Sequence, residues 1–163
     1  MIVLKNVLVA TDFEEASGAA LDYGRDLARS YGATLHVLHA VENILLRYAA
    51  DGALALLPDL QTAVERGARE RMEALVTGED RSTLRAKAVM VTAAEPAEAI
   101  VEYAKEHDVD LIVMGTHGRR GFTHLFMGSV AERVRTAPCP VLTVQHPERE
   151  FVQPDALVAV THA

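Results

Sequence analysis

A single cysteine, Cys139, stands among 163 residues, so no disulfide can close within the chain. Pro138 and Pro140 flank it and an apolar run follows, which reads as a buried structural thiol and not a reactive one. One free thiol suits a reducing compartment. No apolar stretch is long enough to cross a bilayer. The start, Met1-Ile2-Val3-Leu4-Lys5, lacks the basic segment and small-residue cleavage site of an export signal. The expectation is a cytoplasmic protein with no membrane partner. Positive charge is also short: 16 Lys and Arg stand against 23 Asp and Glu, for a net charge of −7. Polynucleotide phosphates need a basic face, so nucleic acid is not an expected partner. A few backbone N–H groups can hold one phosphate group, so the acidic balance leaves nucleotide binding open. Zinc spacing is missing as well. The seven histidines form no Cys/His cluster, and no dedicated metal site is expected. His36 and His39, three apart on an expected strand, point to opposite faces. Internal repeats and low-complexity linkers are absent.

What is present is an alternation of short apolar runs with longer amphipathic stretches. Ile2 to Ala10 reads as a strand buried on both faces. Ser17 to Tyr31 carries apolar residues at helical spacing, and Gly32 supplies a stop. Thr34 to Val41 reads as a second strand. Glu42 to Pro58 is ambiguous, partly helical or a flap. Leu60 to Val76 has charges four residues apart, such as Glu65, Arg69 and Glu73, and reads as a helix. Gly78 to Ser82 reads as a polar turn and Leu84 to Val91 as a third strand. Pro96, with Glu95 and Glu98 beside it, opens a helix to about Glu106. Asp110 to Gly115 is a fourth strand, Gly128 to Thr136 a short helix, and Val141 to Gln145 a fifth strand. The pattern predicts one α/β domain over residues 1–146. It has three layers, with a five-stranded parallel sheet in the order 3-2-1-4-5 and helices on both faces. Residues 147–163 fall outside the unit, as a docking arm or a disordered tail.

The chemistry concentrates between the fourth strand and the last helix, in Gly115-Thr116-His117-Gly118-Arg119-Arg120-Gly121 through Gly128-Ser129. Glycines let backbone approach a ligand closely. The helix starting near Ser129 offers unpaired N–H groups and the positive end of its dipole, and Ser129 adds a hydroxyl. Together these describe a phosphate site. No lysine occurs in the segment, which excludes the P-loop, and Gly-x-x-Gly is not the dinucleotide fingerprint. The bland alternative is a strand-to-helix loop that uses glycine for turns. In the expected strand order the direction of winding reverses between strands 1 and 4, so Gly115 faces Ala10-Thr11-Asp12 across a switch-point crevice.

These residues resemble the universal stress protein family, in its ATP-binding subgroup, over about residues 1–146. Val7-Leu8-Val9-Ala10-Thr11-Asp12 resembles the family's first strand and its acidic residue. Asp110 to Gly118 resembles its fourth strand and loop, and Gly128 to Val134 with Ala137 to Leu142 its last helix and strand. Gly115, Gly118, Gly128 and Ser129 match the signature Gly-x2-Gly-x9-Gly-Ser/Thr. The resemblance implies an adenine nucleotide alpha hydrolase-like fold that holds ATP or another adenine nucleotide, with Mg2+ or Mn2+ arriving on the phosphates. Asp12 then lies by the adenosine, Ala10 and Thr11 wall the cleft, and Val41 meets the adenine through its backbone. Met114 and Gly115 border the ribose. His117, Gly118, Arg119, Gly128, Ser129 and Val130 surround the phosphates. Arg120 is a further candidate there; for both arginines the alternative is a solvated side chain. Glu14 and Ala94-Glu95 depart from the small polar residue and the glycine that many relatives carry.

The function this implies is a nucleotide-occupied regulatory protein of the stress response, with little or no catalysis. No catalytic constellation can be read from the chain, and holding a phosphate does not align a nucleophile. The alternatives are a slow ATPase or phosphotransferase, and a nucleotide-free dimeric interaction protein. The resemblance also implies a homodimer paired through Val141–Val144, an apolar strand at a sheet edge.

Overall fold

The computed structural model describes residues 1–48, 57–116 and 129–145. Five strands form one parallel sheet: β1 (Asn6–Ala10), β2 (Thr34–Glu42), β3 (Lys87–Ala93), β4 (Leu111–Gly115) and β5 (Val141–Val144). Their order is β3-β2-β1-β4-β5, as the alternation predicts. β1 starts at Asn6 and not at Ile2, because pairing starts there: Asn6 meets Thr34 and Val7 meets Leu111. Ile2 and Val3 are exposed.

The helices are α1 (Glu15–Tyr31), α2 (Ile44–Tyr48), α3 (Leu57–Leu75), α4 (Gly78–Thr83), α5 (Pro96–Glu106) and α6 (Ser129–Val134). α1 ends at Gly32 in the left-handed conformation, with its N–H on the carbonyls of Ala28 and Arg29, the stop that glycine permits. Gly78 to Ser82 is not a turn. Thr77 caps α4 through the N–H of Asp80, and the Asp80 carboxylate returns to the N–H of Thr77. This is a capping box with aspartate in the place usually taken by glutamate. The Asp80 side chain also receives Arg25 through Nε at 3.0 Å and Nη2 at 2.8 Å. Burial pushes this carboxyl up, but the Arg25 and Thr77 hydrogen bonds outweigh it and leave the pKa below the usual range.

Two apolar layers follow from strand alternation. Val7, Val9, Leu35, Val37 and Val113 face α1 and α3, with Leu21 and Met72. Leu8, Leu38, Ile112 and Met114 face α5 and α6, with Ile100, Tyr103 and Val134. His36 and His39 obey the same rule. His36 is 1% exposed and its Nδ1 meets the Tyr103 hydroxyl of α5 at 2.8 Å. His39 lies on the other face, its ring 4.3 Å from that of Phe13. Cys139 is half-buried, and burial, then Asp110, pushes its thiol pKa up, against reactivity.

α1 meets β1 and β4 at two glycine contacts. Its buried residues are Ala16, Ser17, Ala19, Ala20, Leu21, Gly24 and Ala28, all small except Leu21. A Cβ at Gly24 would collide with the Val9 side chain. A Cβ at Gly115 would lie 2.7 Å from the carbonyl carbon of Ala16 and 2.8 Å from its oxygen. Glycine at mid-helix over β1, and on β4 beneath the first turn of α1, therefore sets the height of α1 over the sheet.

Candidate functional site

β1 and β4 are neighbours, with Ala10 beside Met114. The helix that follows β1 packs on one face of the sheet, and the helix that follows β4 packs on the other. The two chains part at this point and leave a crevice beyond the strand ends, where parallel sheets of this kind bind ligands. The walls are uneven. Ala10 pairs with Leu38, yet β2 runs on through His39, Ala40 and Val41 to Glu42. Val41, 2% exposed, thus stands above the floor made by Ala10 and Met114. Thr11 and Thr116 continue the two central strands and are both buried.

The turn from Thr11 to Glu14 is tightly bonded. The Thr11 N–H still reaches back to the Leu38 carbonyl at 2.9 Å. Its Oγ1 accepts from the Phe13 N–H at 3.0 Å and lies 3.1 Å from Ser17 Oγ, which donates to the Glu14 carbonyl. Asp12 Oδ1 accepts from the Glu14 N–H at 3.1 Å, an Asx turn that suits this residue type. Phe13 has φ 66°, a left-handed conformation rare for an aromatic residue. Its ring is clasped by His39 on β2 and by the Arg71 guanidinium of α3, 4.2 Å from the centroid.

Of the residues singled out in sequence, Ala10, Thr11, Asp12, Val41, Met114 and Gly115 gather at the carboxyl ends of β1, β2 and β4. Ser129 is the first residue of α6 and Val130, half-buried, the second. His117, Gly118, Arg119, Arg120 and Gly128 lie outside the described residues, as does the 147–163 tail. Gly115 has a packing role of its own, since Ala16 fills the space its side chain would need.

Beside the crevice, on the α5–α6 side, is a cavity of about 320 Å³ lined by Glu42, Ala94, Glu95, Pro96, Ala97, Val130 and Arg133. Arg133 of α6 forms an ion pair with Glu95, the residue before α5, and so ties the two helices. Among the described residues, Val130 is the one sequence candidate that lines this cavity. Glu95 reads in sequence as a first-turn carboxylate, and its pairing with a residue 38 positions away carries no local signal. His39, Phe13 and Ser17 were missed as well. A histidine near the carboxyl end of an otherwise apolar strand was the available sign for the first. Among the described residues no group of three or more His, Cys, Asp or Glu could hold a metal ion.

The geometry is that of a switch-point α/β domain, and residues 4–145 match the family model described as the universal stress protein family. The chain belongs to the universal stress protein family. A relative from Methanocaldococcus jannaschii, universal stress protein MJ0531, is 30% identical over 148 residues, covering 90% of this chain and 85% of the relative. The solved universal stress protein UspA from Lactobacillus plantarum superposes with a TM-score of 0.70 at 28% identity, covering 88% of this chain and 99% of that one. A solved universal stress protein in complex with cAMP superposes with a TM-score of 0.55 at 26% identity, covering 88% of this chain and 98% of that one. This family member shares the fold and strand order of its solved relatives. No helix among its described residues is long and apolar enough to cross a membrane.

Proposed function

We propose that this universal stress protein binds an adenine nucleotide, ATP above others, in the crevice between β1 and β4 and acts as a nucleotide-occupied regulator in the cytoplasm. The observation that carries the reading is the pairing of β1 with β4, which brings Ala10, Thr11, Asp12, Met114 and Gly115 to one end of the sheet, with α6 starting at Ser129. The spacing Gly115, Gly118, Gly128 and Ser129 supports it, and so does the relative solved with cAMP. In this assignment Ala10, Thr11, Asp12, Val41, Met114 and Gly115 hold the nucleoside. His117, Gly118, Arg119, Gly128, Ser129 and Val130 hold the phosphates and any Mg2+ or Mn2+ they carry. In this reading the protein binds the nucleotide with little or no turnover, since holding a phosphate does not align a nucleophile. β5 is an edge strand, and its pairing with a second copy makes a homodimer.

Calorimetry with ATP, AMP and cAMP tests the reading. Saturable binding is expected, with Gly118→Val and Gly128→Val abolishing it while circular dichroism is unchanged. Absence of binding at millimolar nucleotide, with no adenine nucleotide released from purified protein into a mass spectrometer, refutes it.

A further inference from the structure

His39 lies outside the set of ligand-holding residues, yet its hydrogen bond sets the direction of a peptide group that the ligand must meet. Its Nδ1 lies 2.8 Å from the Thr11 carbonyl oxygen. A carbonyl only accepts, so Nδ1 carries the proton and donates. The Thr11 N–H points the same way, to Leu38 of β2. Both polar groups of Thr11 are therefore turned to the β2 side. In a trans peptide the N–H of the next residue is antiparallel to that carbonyl. The Asp12 N–H accordingly points to the β4 side, into the crevice. Without the imidazole donor, the Thr11 carbonyl loses its side-chain partner beyond the end of β1, and that restraint on the direction of the peptide is removed. The same ring packs on Phe13, whose left-handed φ of 66° turns the chain into α1 directly after Asp12.

We propose that His39 is a positioning residue for adenine-nucleotide binding: it anchors the Thr11 carbonyl on β2 and thereby presents the Asp12 N–H as a donor to the ligand. The assignment rests on the nucleotide reading above. The ligand chemistry it selects is an acceptor oxygen or nitrogen over the β1–β4 junction. The donor and the ring can be separated by substitution. His39→Phe keeps an aromatic ring against Phe13 and removes the donor. His39→Asn removes the ring and keeps an N–H on the atom that Nδ1 occupies.

Calorimetric titration of ATP into wild type and both variants is the test, with circular dichroism as the check of folding. His39→Phe is expected to bind about tenfold more weakly, the loss of one well-placed hydrogen bond. His39→Asn is expected to stay within about threefold of wild type. His39→Leu replaces the phenylalanine variant if that protein does not fold. Wild-type affinity in the donor-free variant overturns the proposal, and so does an equal loss in His39→Asn, which would assign the effect to ring packing. If wild type itself binds no adenine nucleotide, the nucleotide reading fails first and this assignment falls with it, a result distinct from either variant outcome.

Discussion

Gly115→Ala isolates a contact that can be measured without any ligand. The new methyl carbon would sit 2.7 Å from the Ala16 carbonyl carbon and 2.8 Å from its oxygen. Both are backbone atoms in the first turn of α1, so no rotamer change relieves them. α1 must rise, and its small-residue face must part from Val9 and Val113. Overpacking of this kind costs about 1–3 kcal/mol. Replacing glycine restricts the unfolded chain and returns up to about 1 kcal/mol. The net loss is centred on about 1–2 kcal/mol, or a fall in Tm of about 2–8 °C for a domain of this size. The control is Gly67→Ala in α3, where nothing lies within 4 Å of the added carbon. There the helix gains about 0.5–1 kcal/mol and Tm rises. Thermal unfolding of nucleotide-free protein, followed by circular dichroism, reads both. If Gly115→Ala melts at or above wild type, the close docking of α1 on β4 is wrong.

Two other expectations concern acid and assembly. Burial, with help from Lys87 and His107, pulls the His36 pKa down from 6.5 to about 4. The folded protein therefore binds fewer protons than the unfolded chain across that window. Stability is full above pH 6.5 and falls as pH drops toward 4, by about 3 kcal/mol from this residue. Urea unfolding at several pH values should show that slope, reduced by about one proton in His36→Gln; an unchanged slope would refute it. The carbonyls of Pro140, just before β5, and of Val144 face β4, accepting from Ile112 and Thr116. The backbone of Thr143 then faces outward. Thr143→Pro should leave the sheet intact and convert a β5-paired dimer to monomer in sedimentation; a dimer that persists would place the interface elsewhere.

The fold was largely legible because its signals are local. Alternation of buried strands with amphipathic helices predicts the sheet, and Gly32 and Pro96 mark helix ends where the structure has them. The errors arose where partners or substitutes decide. Ile2 and Val3 are as apolar as β1 but have no strand beside them, so they stay outside it. The Thr77–Asp80 box carries a weak local signal, because aspartate stands where glutamate or glutamine is usual. In the site, the strand-end residues followed from topology. The clasp of Phe13 by His39 and Arg71 did not, since those residues meet across separations of 26 and 58 positions that no spacing rule reports. The structure also gives one residue a second reason to be glycine. Gly115 reads in sequence as room made for a ligand, and in the fold Ala16 takes that room.

That reassignment bears on how the glycine signature should be read elsewhere. A chain that docks its first helix on the fourth strand as this one does needs glycine at the first signature position whether or not it holds a nucleotide. Neither partner of the contact can grow: Ala16 has little to give up and Gly115 nothing. A glycine retained at that position is therefore weaker evidence for a ligand than the other signature residues. The power to separate nucleotide binders from relatives that have lost the ligand falls on the remaining positions, Gly118, Gly128 and Ser129 in this chain.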